Sequence, residues 1–164
     1  MQDANNLKLK GIITWKLRNS DTLCVEEEGT VENLITEYAM RNIVNGGQIG
    51  SNIFISSSLA EPNKYINSVP EVIAYGATEI GITTPRFINK TDTVPMHGQW
   101  QKRFYPSGSE RTINTIGLTA TSSGTTATAD AYTKLDTACI QGVTQILDIY
   151  YRIEFLEDNT FGVA

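Results

Sequence analysis

The sequence has few of the residues that most catalytic sites use. Its 164 residues include a single histidine, His97, which stands between Met96 and Gly98. No Gly-x-Ser-x-Gly motif exists to supply a serine nucleophile beside it, so serine hydrolysis is not indicated. A lone histidine is more often a structural or surface residue than a catalytic one. We therefore predict that the chain is not an enzyme and has no catalytic residues.

Metal-binding and cofactor-binding patterns are also missing. Cys24 and Cys139 lie far apart, without a Cys-x-x-Cys motif, and we interpret both as buried small hydrophobic residues. A disulfide between them is possible but unsupported. The adjacent carboxylates Glu26–Glu28 point to alternate sides of an extended chain, which favours a solvated hairpin end over a cation site. The glycines of Gly46–Gly50 follow a predicted helix, which favours helix termination over a phosphate loop. We expect no metal and no cofactor.

Positive charge and long apolar runs are scarce. There are 13 basic and 18 acidic residues, for a net charge of -5, and no basic cluster exceeds the pair Lys102 and Arg103. Because nucleic-acid binding needs a basic face, we expect no direct contact with nucleic acid. No run approaches the roughly 20 apolar residues that cross a bilayer, and the N-terminus lacks the pattern of a secretory signal. We expect no association with a membrane. We also expect that the protein is synthesised in a cytoplasm.

Hydroxyl side chains and glycine are abundant. The chain has 20 Thr, 10 Ser and 13 Gly, which favours strands and turns over long helices. Alternation of apolar and polar residues predicts long strands near both chain ends, with Trp15 and Tyr151 on buried faces. Ile116 and Leu118 are predicted on one face of their strand and Ile113 on the other. The predicted strands are 7–18, 22–26, 52–56, 99–105, 111–119 and 147–155.

One segment follows a helical period. Apolar residues recur at three- and four-residue intervals from Val31 to Val44, which predicts an amphipathic helix over about 31–44 with Thr30 as its N-cap. Residues 63–96 are predicted to be an irregular excursion with one or two short strands, and residues 119–130 a mobile surface loop. The predicted fold for residues 1–164 is a single mainly β domain, an antiparallel β-sandwich of about seven or eight strands with one α-helix.

Aromatic and charged residues on predicted strand faces are the candidate contact residues. Tyr150, Arg152 and Glu154 share the polar face of the last strand, and tyrosine and arginine are enriched at protein interfaces. Trp100 and Tyr132 are further candidates for subunit contact. A platform for stacking on a glycan is the alternative use of the aromatic residues, and it would comprise Trp100, Phe104, Tyr105, Tyr132 and Tyr150. Subunit contact is the more common use of such residues.

The order of the segments along most of the chain is also informative. A strand pair precedes a helix that ends in glycines, and a short strand and a proline-containing loop follow; the second half ends in a long strand. The segments concerned are Glu32–Thr36, Asn52–Ser56, Thr115–Leu118, Ala131–Leu135 and Gln145–Phe155. This order resembles modules of the tail, fibre and neck proteins of tailed bacteriophages.

The resemblance implies a function in assembly. Such modules are non-enzymatic and form symmetric or pseudo-symmetric oligomers. A virion structural protein of a tailed phage is therefore expected, in the tail, neck, baseplate or fibre attachment. Its expected partners are copies of itself and other virion proteins. The alternatives are a host-receptor or glycan-binding module of the virion and a capsid decoration protein.

Overall fold

The computed structural model describes residues 8–45, 49–78, 86–88 and 97–156. These residues form ten strands and one helix. In chain order they are β1 (Lys8–Asn19), β2 (Val25–Ile35), α1 (Glu37–Val44), β3 (Asn52–Ser56), β4 (Ser68–Val69), β5 (Val72–Ala77), β6 (Arg86–Ile88), β7 (His97–Phe104), β8 (Arg111–Thr119), β9 (Ala127–Gln141) and β10 (Gln145–Leu156).

Hydrogen bonds connect the strands into one antiparallel sheet. Its order is β5-β3-β8-β9-β2-β1-β10-β7-β6, and β4 pairs with β9 outside this path. Strand β2 joins the two halves, because most of it pairs with β1 while Leu34 and Ile35 pair with β9. The sheet curls until β5 approaches β7, where the Lys102 side chain lies against Gly76. The fold is therefore mainly β and antiparallel, as predicted, and nearly barrel-shaped. A division into the two layers of a sandwich is not confirmed.

The inner face of the curled sheet holds the main core. Strands β1 and β10 pair along their whole length and point the predicted apolar rows inward. Trp15 and Tyr151 are both buried, as their alternation predicted. Each large side chain in such a row stabilises the fold by about 1.5–3 kcal/mol. The two strands near the chain ends therefore lie together at the centre of the main core, as the sequence predicts.

A second, smaller core lies on the outer face of β3, β8 and β9. Phe54 packs there with Ala127, Ala129 and Tyr132. The Tyr132 hydroxyl accepts a hydrogen bond from the backbone of Asn63, at 2.9 Å, in the segment that crosses this face. Because Ala127 and Ala129 are completely buried in a strand, the prediction of a loop over residues 119–130 is wrong for its last four residues. Strand β9 starts at Ala127, and small side chains there fit beneath the covering segment.

Helix α1 is shorter than predicted. It begins at Glu37, and its N-cap is Thr36, whose hydroxyl accepts a hydrogen bond from the Ala39 backbone at 3.2 Å. Residues 31–35 belong to β2, so the prediction of a helix from Val31, capped by Thr30, is wrong. Pairing with β1 continues to Asn33, and that pairing outweighs the local helical spacing. Within the described residues, no helix is long and apolar enough to span a membrane.

Two irregularities in the β8–β9 pairing change which side chains face the main core. The first lies between Ile113 and Thr115, and it allows Ile113 to join Ile116 and Leu118 in that core. The prediction that Ile113 faces the other way is therefore wrong, because a bulge reverses the alternation. The second leaves Asp130 without a partner on β8, and its side chain is buried.

The predicted excursion over residues 63–96 is only partly described. Strands β4, β5 and β6 lie within it. The run beginning at Val72 forms β5, in agreement with the prediction of a short strand there. The second apolar run, residues 79–82, lies outside the described residues, as do the predicted helix-terminating glycines 46 and 47.

Candidate interaction surface

The outer face of three adjacent strands carries the candidate contact residues predicted on the last strand. We call this surface the polar face, and it comprises Lys16 and Arg18 of β1, Asp148, Tyr150, Arg152 and Glu154 of β10, and Gln99, Gln101 and Arg103 of β7. Strand β10 runs along its middle. Tyr150, Arg152 and Glu154 form one row there and are partly exposed, because their neighbours in sequence fill the main core.

A fully buried carboxylate anchors one end of the polar face. Asp148 Oδ2 accepts a hydrogen bond from Arg18 Nε at 2.9 Å, and Asp148 Oδ1 accepts one from Arg103 Nε at 2.7 Å. Arg103 Nη2 donates a further bond to Oδ2 at 2.9 Å, so that this contact is bidentate. Burial alone would raise the pKa of Asp148, but the hydrogen bonds from Arg103 and Arg18 outweigh it and lower the pKa. The carboxylate therefore stays charged and fixes both arginines.

The remaining side chains of the row are also restrained. Lys16 Nζ lies 5.7 Å from the centre of the Tyr150 ring, and Arg18 Nη2 is 3.5 Å from the Tyr150 hydroxyl. Arg152 Nε and Glu154 Oε1 form an ion pair at 3.0 Å. Side chains that are already ordered lose less conformational entropy when a partner covers them. This face is therefore preorganised for contact.

The two other candidate contact residues are not on this face. Trp100 is 3% exposed and packs edge-to-face on Tyr151 in the main core, with ring centres 6.4 Å apart. Tyr132 is 4% exposed and lies in the second core, where its hydroxyl also donates to the backbone oxygen of Ile66 at 2.9 Å. Both rings are thus used inside the molecule, and the structure does not bring them together with Tyr150.

A buried polar cluster lies inside the curled sheet. Asp130 Oδ2 accepts a hydrogen bond from the Gly50 backbone N–H at 2.8 Å, and Asn33 Nδ2 donates to the hydroxyl of Tyr151. Burial raises the pKa of Asp130 to about 6, and the bond from Gly50 offsets part of that effect. Burial also raises the pKa of Tyr151, and the negative charge of Asp130 raises it further. A carboxyl and a tyrosine can perform acid–base catalysis, but both are almost fully buried here, so a substrate cannot reach them in this conformation.

The other chemically reactive side chains are separate from each other. His97 is buried at the start of β7, with its Nε2 atom 3.2 Å from the amide nitrogen of Gln99. Cys139 is buried and Cys24 is exposed, so the prediction of burial is wrong for Cys24, and both are free thiols. Cys24 is exposed because it lies in the turn between β1 and β2. Among the described residues, no group of three or more His, Cys, Asp or Glu side chains is placed to hold a metal ion.

An open groove of about 430 Å³ lies beside the turn that joins β7 to β8. Four of its seven lining residues are serine or threonine, and the other three are Ile73, Glu110 and Arg111. Neither the candidate contact residues nor His97 line it. The groove is therefore a feature separate from the polar face.

Several of these features could not be recognised in the sequence. The Asp148 network joins residues that lie 130 and 45 positions apart, and Asp130 shows no motif around it. The only available signal was the alternation that placed Asp148 on an outward face. Comparisons with protein-family models, with curated proteins and with solved structures found no match for this chain. Its function is therefore inferred from its own surfaces.

Proposed function

We propose that this chain is a virion structural protein of a tailed phage, located in the tail, neck, baseplate or fibre attachment. It works by repeated contacts with copies of itself and with other virion proteins, and it catalyses no reaction. The observation that supports the proposal is the polar face, in which a row of tyrosine, arginine and glutamate side chains is partly exposed yet held in place. The resemblance in segment order adds the phage context.

The chemistry of the polar face suits a protein contact. Tyrosine and arginine are enriched in interfaces, and a rigid sheet presents them without loop rearrangement. Neighbouring strands lie about 4.8 Å apart and each residue extends a strand by about 3.3 Å. Eight residues of β1, β10 and β7 therefore cover a projected area of about 400 Å². A standard interface buries about 800 Å² on each partner. The polar face therefore supplies about half of such a contact, and further surfaces must contribute.

The proposal includes a view of the architecture. The two halves of the sheet act as the layers of a β-sandwich that remain joined through β2. Strands β3, β8 and β9 belong to one layer and β1, β10 and β7 to the other. Side chains from both halves meet in the same core, which supports this description.

The polar face can be tested by removing two of its side chains together. The double variant Tyr150→Ala with Arg152→Ala should keep the fold, because both side chains are partly exposed. The double variant Asp136→Ala with Thr137→Ala is a matched control, since both residues are exposed on β9, away from the polar face. Light scattering coupled to size exclusion should show a defined wild-type oligomer, or a complex with a neighbouring virion protein. The variant lacking Tyr150 and Arg152 should form a smaller oligomer than the wild type, or lose the complex with the neighbouring protein. The control should behave like the wild type.

A wild-type protein that stays monomeric and also ignores the neighbouring virion proteins would count against an assembly function. A fully assembled double variant would leave assembly intact as a function but would exclude the polar face as the contact. Imaging particles that carry a label on this chain would distinguish a tail, neck or baseplate position from capsid decoration.

Glycan binding is a second proposal. Among the five rings of the predicted platform, Tyr150 is partly exposed and Tyr105 is exposed, and both support it, whereas Phe104 is buried. Trp100 and Tyr132, which the platform also needs, lie in the two cores. A glycan array with the wild type and with Tyr150→Ala would test it. Binding that the variant loses favours a receptor-binding module, whereas an array without hits argues against one.

A further inference from the structure

Most exposed large hydrophobic side chains of the described residues fall into two groups. The first, which we call the turn-end patch, comprises Leu23, Val25, Tyr105, Ile140 and Val143. The second, the helix-end patch, comprises Tyr38, Tyr65 and Ile66, whereas Leu59 lies apart, next to Ser58, whose backbone oxygen binds Thr115 of β8. Strand β2 starts at the first patch, and only Thr36 separates its end from α1, which carries Tyr38. The patches are therefore separated by the eleven residues of β2, or about 35 Å at about 3.3 Å per residue.

The turn-end patch is held rigidly. The turn after β1 and the turn after β9 are tied by a hydrogen bond from the Ser20 N–H to the Thr144 oxygen at 2.9 Å. Leu23 has a φ of 60°, in the left-handed region that bulky residues rarely adopt. Its N–H donates to the Asn19 oxygen at 2.8 Å, and its own oxygen accepts from Arg18 Nη1 at 3.2 Å. The fold therefore keeps an apolar side chain exposed in a strained conformation, which is more common at functional sites than elsewhere.

Carboxylates surround the turn-end patch. Asp21 lies in the same turn as Leu23, and Glu26 Oε1 accepts a hydrogen bond from the side chain of Gln145 at 3.4 Å. Glu27 is close enough to Cys139, the neighbour of Ile140, for its charge to contribute to the raised pKa of that thiol. Within the described residues, none of these three carboxylates forms an ion pair. One guanidinium also reaches the patch, because Arg111 Nη1 donates to the Tyr105 oxygen at 3.4 Å. Three carboxylates outnumber it, so the patch is apolar at its centre and its edge is net negative.

The helix-end patch has the opposite electrostatic character. The Glu37 N–H at the start of α1 donates to the Lys64 oxygen at 2.9 Å, which fixes Tyr38 beside the segment that carries Tyr65. Lys64 Nζ lies 4.9 Å from the centre of the Tyr65 ring. Glu61, the nearby acidic residue of this segment, is paired with Lys134 at 2.7 Å. An aromatic and aliphatic surface with an adjacent ammonium group results.

We propose that the turn-end patch of one copy docks onto the helix-end patch of the next copy, so that the chains associate head to tail. The contact would place the carboxylates beside Lys64 and bury the exposed side chains of both patches. Contact between two turn-end patches would instead set Asp21, Glu26 and Glu27 against the same residues of the second copy. A head-to-tail contact generates a ring or an open stack. The inference rests on the proposed assembly function and supplies area that the polar face lacks.

The experiment isolates this contact by using the double variant Tyr150→Ala with Arg152→Ala as background. Into it we place either Val143→Glu in the turn-end patch or Tyr65→Glu in the helix-end patch. Thr137→Glu, on an exposed position of β9, serves as control. Sedimentation velocity over a concentration series should show self-association of the background protein and of the control. Each patch variant alone should require an at least about tenfold higher concentration to associate, because it sets a charge against an apolar surface.

Mixing the two patch variants gives the decisive result. Each retains one intact patch of the complementary kind, so a one-to-one mixture should form a heterodimer and nothing larger. A mixture that stays monomeric would overturn the inference. The inference would also be overturned if Val143→Glu weakened association while Tyr65→Glu did not, because that result indicates contact between two turn-end patches. A monomeric background protein with an oligomeric wild type would also overturn it but leave the proposed function standing. A wild type that neither oligomerises nor binds neighbouring virion proteins would instead refute the proposed function.

Discussion

Replacing Asp130 with asparagine should stabilise the protein at neutral pH and change its stability little at acidic pH. The wild-type carboxyl is 2% exposed and accepts one hydrogen bond, from the Gly50 N–H. Burial raises its pKa from 3.8 to about 6. Asparagine is nearly the same size and retains an oxygen that can accept the Gly50 bond, but it carries no charge at any of these pH values.

The magnitude follows from the difference between the two pKa values. A shift of about two units at 1.36 kcal/mol each corresponds to about 3 kcal/mol. Because the folded protein holds this proton more tightly than the unfolded chain, the wild type has its full stability below the unfolded pKa of 3.8. It loses the contribution as the pH rises through about 6, and above that pH no further loss occurs. The asparagine variant lacks this dependence.

Urea unfolding of both proteins at several pH values between about 4 and about 8 measures the effect. The difference in unfolding free energy, variant minus wild type, should be about 2–3 kcal/mol larger at the upper end than at the lower end. Asp136→Asn is the control, since Asp136 is exposed on the same strand and its replacement should have little effect. A difference that is the same at all pH values, or that falls as the pH rises, would refute the reasoning.

Three other predictions test the packing. Asp148→Asn removes the charge between two arginines and should lower the unfolding free energy at neutral pH by about 2 kcal/mol. This value is below that of a completely buried ion pair because the arginines are partly exposed. An unchanged urea midpoint would contradict the prediction. Gly11→Ala places a methyl group onto the side chain of Asn33 and should cost about 1–3 kcal/mol in the same assay. Gly142→Ala, with its nearest contact at 3.3 Å, should cost less and so serves as control. Maleimide should label only Cys24 in the native protein and should label Cys139 as well in denaturant. Cys139 is protected because it is buried, and burial raises the pKa of its thiol to about 12. Labelling of both thiols without denaturant would contradict this prediction.

The long strands at both ends of the chain could be predicted because their signal is local. Alternation in a strand depends only on the next few residues, and it runs through most of β1 and β10, which pair along their whole length. The same alternation predicted that Tyr150, Arg152 and Glu154 share one outward row. The helix start could not be predicted, because Val31 and Ile35, four residues apart, share one face in both a helix and a strand. Pairing with β1, which is not visible in that segment alone, decides the outcome.

The positions of Trp100 and Tyr132 show a second limit. Alternation indicates that an aromatic residue lies on one side of a strand, but it does not indicate whether that side will be covered. Trp100 is covered by the curling of the sheet, and Tyr132 by a segment about 70 residues earlier in the chain. Both became interior residues for reasons that depend on distant parts of the chain.

The amino-acid order by itself determined that the chain is β-rich, where its longest strands run, and which side chains of β10 face outward. These properties follow from periodicity and composition, which neighbouring residues define. Only the tertiary structure decided that Arg18 and Arg103 meet Asp148, that a bulge buries Asp130, and that most exposed apolar residues form two separate patches. Those arrangements depend on strand register and sheet curvature, which are set by contacts between residues far apart in sequence.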